Sequence, residues 1–170
     1  MESDAAAVQL FQRRRWVDPG RLAEGLGAFV DQLAWIDVHT GLSMAGWRRT
    51  GPDGDPGAIL ATTTYDDHAW FLAEVARLQT LDDYAPVNDA TATLTVGTEA
   101  FERWDAPDGL SVDWTLPPAG FVQVVGKFPV EPHPAWVNTE GADGLVTWFP
   151  SEAGESGGDD HRVEEWVRIH

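Results

Sequence analysis

Leu22, Leu26, Phe29, Leu33 and Ile36 follow one another at steps of four, three, four and three. That spacing lines five apolar side chains along one helical face and predicts a helix over residues 19–36. Asp18-Pro19 supplies its start, a capping carboxylate followed by proline at the first helical position. Gly25 and Gly27 each weaken such a helix by about 1 kcal/mol relative to alanine, and they leave room for close packing. Phe71, Leu72, Val75 and Leu78 predict a second helix, capped by Asp66 or Asp67 and running to about Gln79.

Strand patterns are shorter. Val8–Gln12 reads as a strand entering the fold, and Ser43–Arg49 as a short strand or a helical turn. Residues 59–64, rich in β-branched side chains, form another strand candidate. Thr91–Val96 and Leu110–Leu116 alternate as strands do, which predicts an antiparallel pair joined by a Glu99–Gly109 connection. Phe121, Val124, Val125 and Phe128 keep helical spacing, although Phe121–Val125 suits a strand equally well; a third helix is the expectation. Leu145–Phe149 is a strand candidate, and Arg162–Ile169 a terminal segment able to dock through Val163, Trp166, Val167 and Ile169. Gly51–Gly57 is dense in turn formers, and 151–160, made of Gly, Ser and acids, reads as a flexible loop. Helices interleaved with antiparallel strands predict an α+β fold, a single domain over 1–170 with an antiparallel sheet packed against two or three helices.

Charge changes the picture more than composition does. The first 50 residues hold six arginines and six acids, so the net charge of -17 comes entirely from residues 51–170. A field of that sign repels nucleic acid and anionic lipid and draws basic partners. Nine tryptophans in 170 residues supply enough large apolar surface for a core, and the absence of cysteine excludes disulfides, thiolate metal sites and thiol nucleophiles. No apolar run reaches the roughly 20 residues of a membrane helix, and no signal-like segment opens the chain, so the expected location is cytoplasmic.

Candidate chemistry is sparse. Asp37/His39, Asp66-Asp67-His68 and Asp159-Asp160-His161 combine carboxylate and imidazole, a donor set that suits several divalent ions. No spacing among them specifies a metal, and Asp66 and Asp67 are better explained as caps of a helix. There is no Gly-x-Ser-x-Gly, Ser-x-x-Lys or Walker loop. Arg13-Arg-Arg15 is too short a basic run for a nucleic-acid patch and is better paired with the chain's own acids. Trp104, between Arg103 and Asp105 in an expected loop, has the character of an interface anchor.

Arg15-Trp16, the helix bearing Leu22, Phe29 and Leu33, the link Ile36-Asp37, then Trp47-Arg48 and the later Pro134-Ala-Trp136 together resemble the immunity protein 52 family of bacterial polymorphic-toxin systems. The resemblance implies a small cytoplasmic α+β antitoxin that blocks a secreted effector, often a nuclease of the restriction-enzyme-like class, and carries no catalytic residues. On that footing the expectation is a non-enzymatic immunity protein, with no cofactor and no metal, whose acidic surface covers a basic protein toxin. Asp66, Asp67, Asp82, Asp83 and Asp89 are the expected charged contacts and Trp104 the apolar anchor; nucleic acid and membrane are not expected partners. The alternatives are a structural or assembly protein of a phage or secretion-system cluster, and a metal-dependent hydrolase built on Asp37/His39 or Asp67/His68.

Overall fold

The computed structural model describes residues 9–50, 55–105, 120–126, 135–138, 145–150 and 162–170. Strand β1 (Gln9–Val17) leads through a 3-10 turn, where Asp18 caps Gly20 N, into helix α1 (Leu22–His39). Then come β2 (Ala45–Thr50), β3 (Ala58–Tyr65), α2 (His68–Thr80), α3 (Tyr84–Ala92) and β4 (Thr95–Asp105). Four further strands complete the described chain: β5 (Gly120–Gly126), β6 (Ala135–Asn138), β7 (Leu145–Pro150) and β8 (Arg162–Arg168).

All strand pairs are antiparallel, and the strands close into a barrel in the order β1-β3-β2-β8-β5-β7-β6-β4. The α+β expectation holds, with three helices. Because a strand sends alternate side chains to opposite faces, the register sorts β1 cleanly. Leu10, Gln12 and Arg14 face the barrel interior, while Phe11, Arg13, Arg15 and Val17 face the helices.

Inside the barrel, Glu164 of β8 is 1% exposed and accepts from Arg14 Nη2 of β1 and Arg49 Nη1 of β2, each at 2.8 Å. Both guanidinium groups also lie over the Trp166 ring, at 5.4 and 5.9 Å. Trp47, fully buried, donates through Nε1 to Thr62 Oγ1 at 2.9 Å. This charged bridge ties the last strand to the first two, so closure is written into side chains as well as backbone.

Outside the barrel, α1 lies on the helix-facing side of the sheet. Phe29, Leu33 and Ile36 pack there with Ile59, Ala61, Tyr65, Phe71, Leu78 and Tyr84. Close approach depends on Gly46: a Cβ at that position would lie 2.6 Å from Leu33 Cδ1. The chain end docks on the same strand, with Ile169 N donating to Gly46 O at 2.8 Å and His170 Nε2 lying 2.7 Å from Asp37 Oδ2.

Three expectations fail here. Residues 84–92 form α3, so Thr91–Val96 is a helix end and a strand start rather than a strand. The Glu99–Gly109 connection is strand β4 as far as Asp105, and Trp104 therefore sits in a strand, paired with Leu10 and Asn138, and not in a loop. Phe121, Val124 and Val125 do not belong to a third helix: Gly120–Gly126 is β5, hydrogen-bonded to β7 and β8 on its two edges, and Phe128 lies outside the described residues. Leu110–Leu116, the 151–160 loop, Asp159–His161 and Pro134 lie outside the described residues.

Candidate functional site

A cavity of about 320 Å³ opens between the sheet and the three helices. Its apolar wall is built by Phe11, Phe29, Leu33, Ile36, Leu42, Met44, Ala61, Phe71, Val75 and Leu78. Phe71, Phe11 and Phe101 lie along it as part of a row of aromatic rings that starts behind the wall at Tyr65. Tyr65 stacks on Phe71 at 4.1 Å, Phe71 meets Phe11 at 5.3 Å, and Phe11 meets Phe101 at 6.0 Å. The row ends at Arg13, whose guanidinium lies 5.5 Å from the centre of the Phe101 ring.

The other end of the cavity is polar, and each element contributes to it. From β1 comes Arg15, 5% exposed. From α1 comes Gln32, 2% exposed, a polar position set into the apolar stripe between Phe29 and Leu33. Tyr84 and Asn88 come from α3, one helical turn apart. Arg15 Nη1 donates to Gln32 Oε1 at 3.1 Å and Nη2 to Asn88 Oδ1 at 3.4 Å. Gln32 Nε2 in turn donates to Asn88 Oδ1 at 3.0 Å and to Tyr84 Oη at 3.5 Å.

The last member is Glu99, placed by an irregularity in β4. Arg14 pairs with Ala100 and Trp16 with Val96, so β4 carries extra residues between these pairs. Gly97 takes φ +73° there, a left-handed conformation that other residues rarely adopt. A bulge of this kind re-aims the side chains around it. Glu99 Oε2 accepts from Arg13 Nε at 2.7 Å and lies 2.6 Å from Arg13 Nη2 and 3.4 Å from Arg15 Nε. Beyond this group a second, polar hollow of about 250 Å³ shares Arg13, Arg15, Asn88 and Glu99.

Burial pulls the Arg15 pKa down from its ordinary value to about 10, and Arg13 pulls the same way, against Glu99 and Tyr84. Arg15 is therefore a cation at neutral pH, but a poorly solvated one. Such a group in a concave, mostly apolar site is the feature that small-molecule sites share.

The residues singled out from sequence lie elsewhere. Asp66, Asp67, Asp82, Asp83 and Asp89 are all exposed, and none of them lines the cavity. Asp66 and Asp67 precede α2 and Asp82 and Asp83 follow it, so the 13-residue helix separates the two pairs by about 20 Å. Asp67 acts as the cap foreseen for it, accepting from Trp70 N at 3.0 Å. The side chain of Trp104 is outside what is described.

The Asp–His pairs do not converge. Asp37 accepts from Met44 N and meets His170, while His39 Nδ1 bonds Trp35 O. His68 Nε2 lies 2.8 Å from Arg103 Nη1, and since arginine only donates, that nitrogen accepts and Nδ1 carries the hydrogen towards Tyr65 Oη at 3.3 Å. Among the described residues no group of three or more His, Asp or Glu is arranged to hold a metal ion.

Arg15, Gln32, Tyr84, Asn88 and Glu99 were missed. Two signals were available: the polar Gln32 inside the apolar stripe, and the odd–even alternation of the arginine triplet.

No protein-family profile and no curated protein matches the chain. Solved structures do share its fold. A protein of Fusobacterium nucleatum, named as a candidate monooxygenase, is 9% identical, with 97% of this chain and 94% of that chain covered and a TM-score of 0.62. A NIPSNAP-like domain protein of Burkholderia xenovorans is 16% identical, covering 66% of this chain and 94% of its own, at a TM-score of 0.52. A NIPSNAP family protein of Agrobacterium tumefaciens is 11% identical, covering 65% and 95%, at 0.50. Likeness at such identities concerns the fold alone. It overturns the resemblance to immunity protein 52, and with it the expectations of a toxin inhibitor and of a chain without enzymatic activity. None of the described helices is long and apolar enough to cross a membrane.

Proposed function

We propose that this chain binds an apolar, ring-bearing small molecule in the cavity between its helices and its sheet, and oxidises it. The cavity carries the reading: its wall is aromatic and aliphatic, and one end converges hydrogen-bonding groups from β1, α1, α3 and β4. Burial against the wall provides affinity, and the polar end fixes orientation. The reaction class is suggested by the name of the Fusobacterium nucleatum neighbour.

A hydroxyarene is the simplest substrate that fits both parts. Naphthol and dioxygen balance as naphthoquinone and water, with the substrate itself supplying the electrons. In that setting the Phe11–Phe71 row would hold the rings, and Arg15 would stabilise the oxygen as it becomes anionic, as a preorganised donor does in a dry site.

Oxygen uptake and quinone absorbance with naphthols test the reading. It predicts turnover by the native chain and loss of it in Ala61→Phe, which fills the cavity. Equal turnover by both proteins would contradict it.

A further inference from the structure

The cavity's polar end has the opposite charge to the rest of the molecule. Arg13, Arg15 and Glu99 are the only charged residues that line it among those described, so two cations face one carboxylate inside a chain of net charge -17. Arg15 is 6% exposed through its side chain and Glu99 is 37% exposed. The cation is thus fixed and dry, while its counter-ion is wet.

We infer that this end is an anion receptor for a carboxylate, sulfonate or phenolate on the ligand, and that Glu99 is an exchangeable stand-in for that group. The inference rests on the reading of the cavity as a ligand site. Gln32 and Asn88 hold the guanidinium through Nη1 and Nη2, so Arg15 keeps its place when Glu99 leaves. Glu99 stands on the β4 bulge beside Gly97, which has the backbone freedom to let it swing outward. The arriving anion then inherits contacts to both arginines, and charge-assisted bonds are the strong ones.

Two dyes separate the parts of the argument. 8-Anilinonaphthalene-1-sulfonate carries an anion, and N-phenyl-1-naphthylamine has the same rings without it. Fluorescence titration of the full chain is expected to show tighter binding of the sulfonate. Arg15→Met should weaken the sulfonate by about ten-fold or more and leave the neutral dye nearly unchanged, since only the sulfonate loses a charge-assisted bond. Glu99→Gln keeps Arg15 in place and removes the competitor, so it should tighten the sulfonate several-fold and not the neutral dye.

Ala61→Phe should remove both dyes. If it removes neither, the cavity is not the binding site and the reading of function falls with it. If it removes both while the Arg15 and Glu99 variants move the two dyes alike, the cavity stands and the anion receptor is wrong.

Discussion

Glu99 Oε2 stands 3.4 Å from Arg15 Nε because β4 bulges where β1 does not. The contact joins a partly exposed carboxylate to a buried cation, and because Arg13 shares the same carboxylate the local charge stays positive in an acidic molecule. Long-range and local fields therefore oppose each other for an anionic ligand. Stopped-flow association of 8-anilinonaphthalene-1-sulfonate is expected to quicken as salt screens the net charge, whereas the neutral dye should show no such trend. A rate that falls with salt would show that the local cations dominate the approach.

Gln32 holds Arg15 by a bond within the core. Gln32→Leu removes an acceptor from a buried cation and two donors from Asn88 and Tyr84, and should cost about 1–3 kcal/mol in urea unfolding. Gln32→Glu replaces the acceptor by a carboxylate, and should neutralise the cavity and weaken the sulfonate dye without weakening the neutral one.

Glu164 has the corresponding place inside the barrel. Its removal as Glu164→Ala leaves Arg14 and Arg49, 14% and 17% exposed, facing each other without their shared counter-ion. About 3–5 kcal/mol of stability should be lost, as for other buried pairs broken on one side. Chemical denaturation measures it, and a loss under 1 kcal/mol would mean that water already solvates the bridge.

Gly46→Ala tests the seating of α1. The added methyl meets Leu33 Cδ1, so that side chain must give way within a packed core, at a cost of about 1–3 kcal/mol. A drop in thermal midpoint without loss of helical circular dichroism is the expected result.

Glu74 links α2 to the end of α1. Hydrogen bonding from Arg77, then from Gly41 N, holds its carboxyl below the usual range. A depressed carboxylate contributes stability above its unfolded pKa, and the contribution disappears as pH falls through the folded value. Acid unfolding of Glu74→Gln should accordingly show a shallower dependence below about pH 4.3, the usual glutamate value.

Much of this architecture was legible from sequence where one face of an element is apolar and continuous. The Leu22–Ile36 stripe located α1, and Asp18 and Asp67 marked helix starts. Helix α3 was hidden because YAPVNDATA has a proline in its first turn, where it is tolerated, and few strong helix formers after it. Strand β5 was misread because Phe121, Val124 and Val125 satisfy helical and strand patterns alike, and only pairing on both edges decides between them.

The site was lost at the arginine triplet. Taken as a run, Arg13-Arg-Arg15 is a weak basic patch. Taken as a strand, it sends Arg14 to Glu164 inside the barrel and Arg13 and Arg15 to the cavity. The expected strand ended at Gln12, one residue before that alternation becomes visible. Glu99 could not be assigned from spacing at all, because a bulge sets its direction.

The most direct test of the cavity as the functional site is a crystal structure of the full chain with 8-anilinonaphthalene-1-sulfonate bound. The rings are predicted against Phe11 and Phe71, with the sulfonate on Arg15 and Glu99 turned away from it. Dye found only on the outer surface or within the barrel, with the Glu99–Arg15 contact intact, would contradict the account.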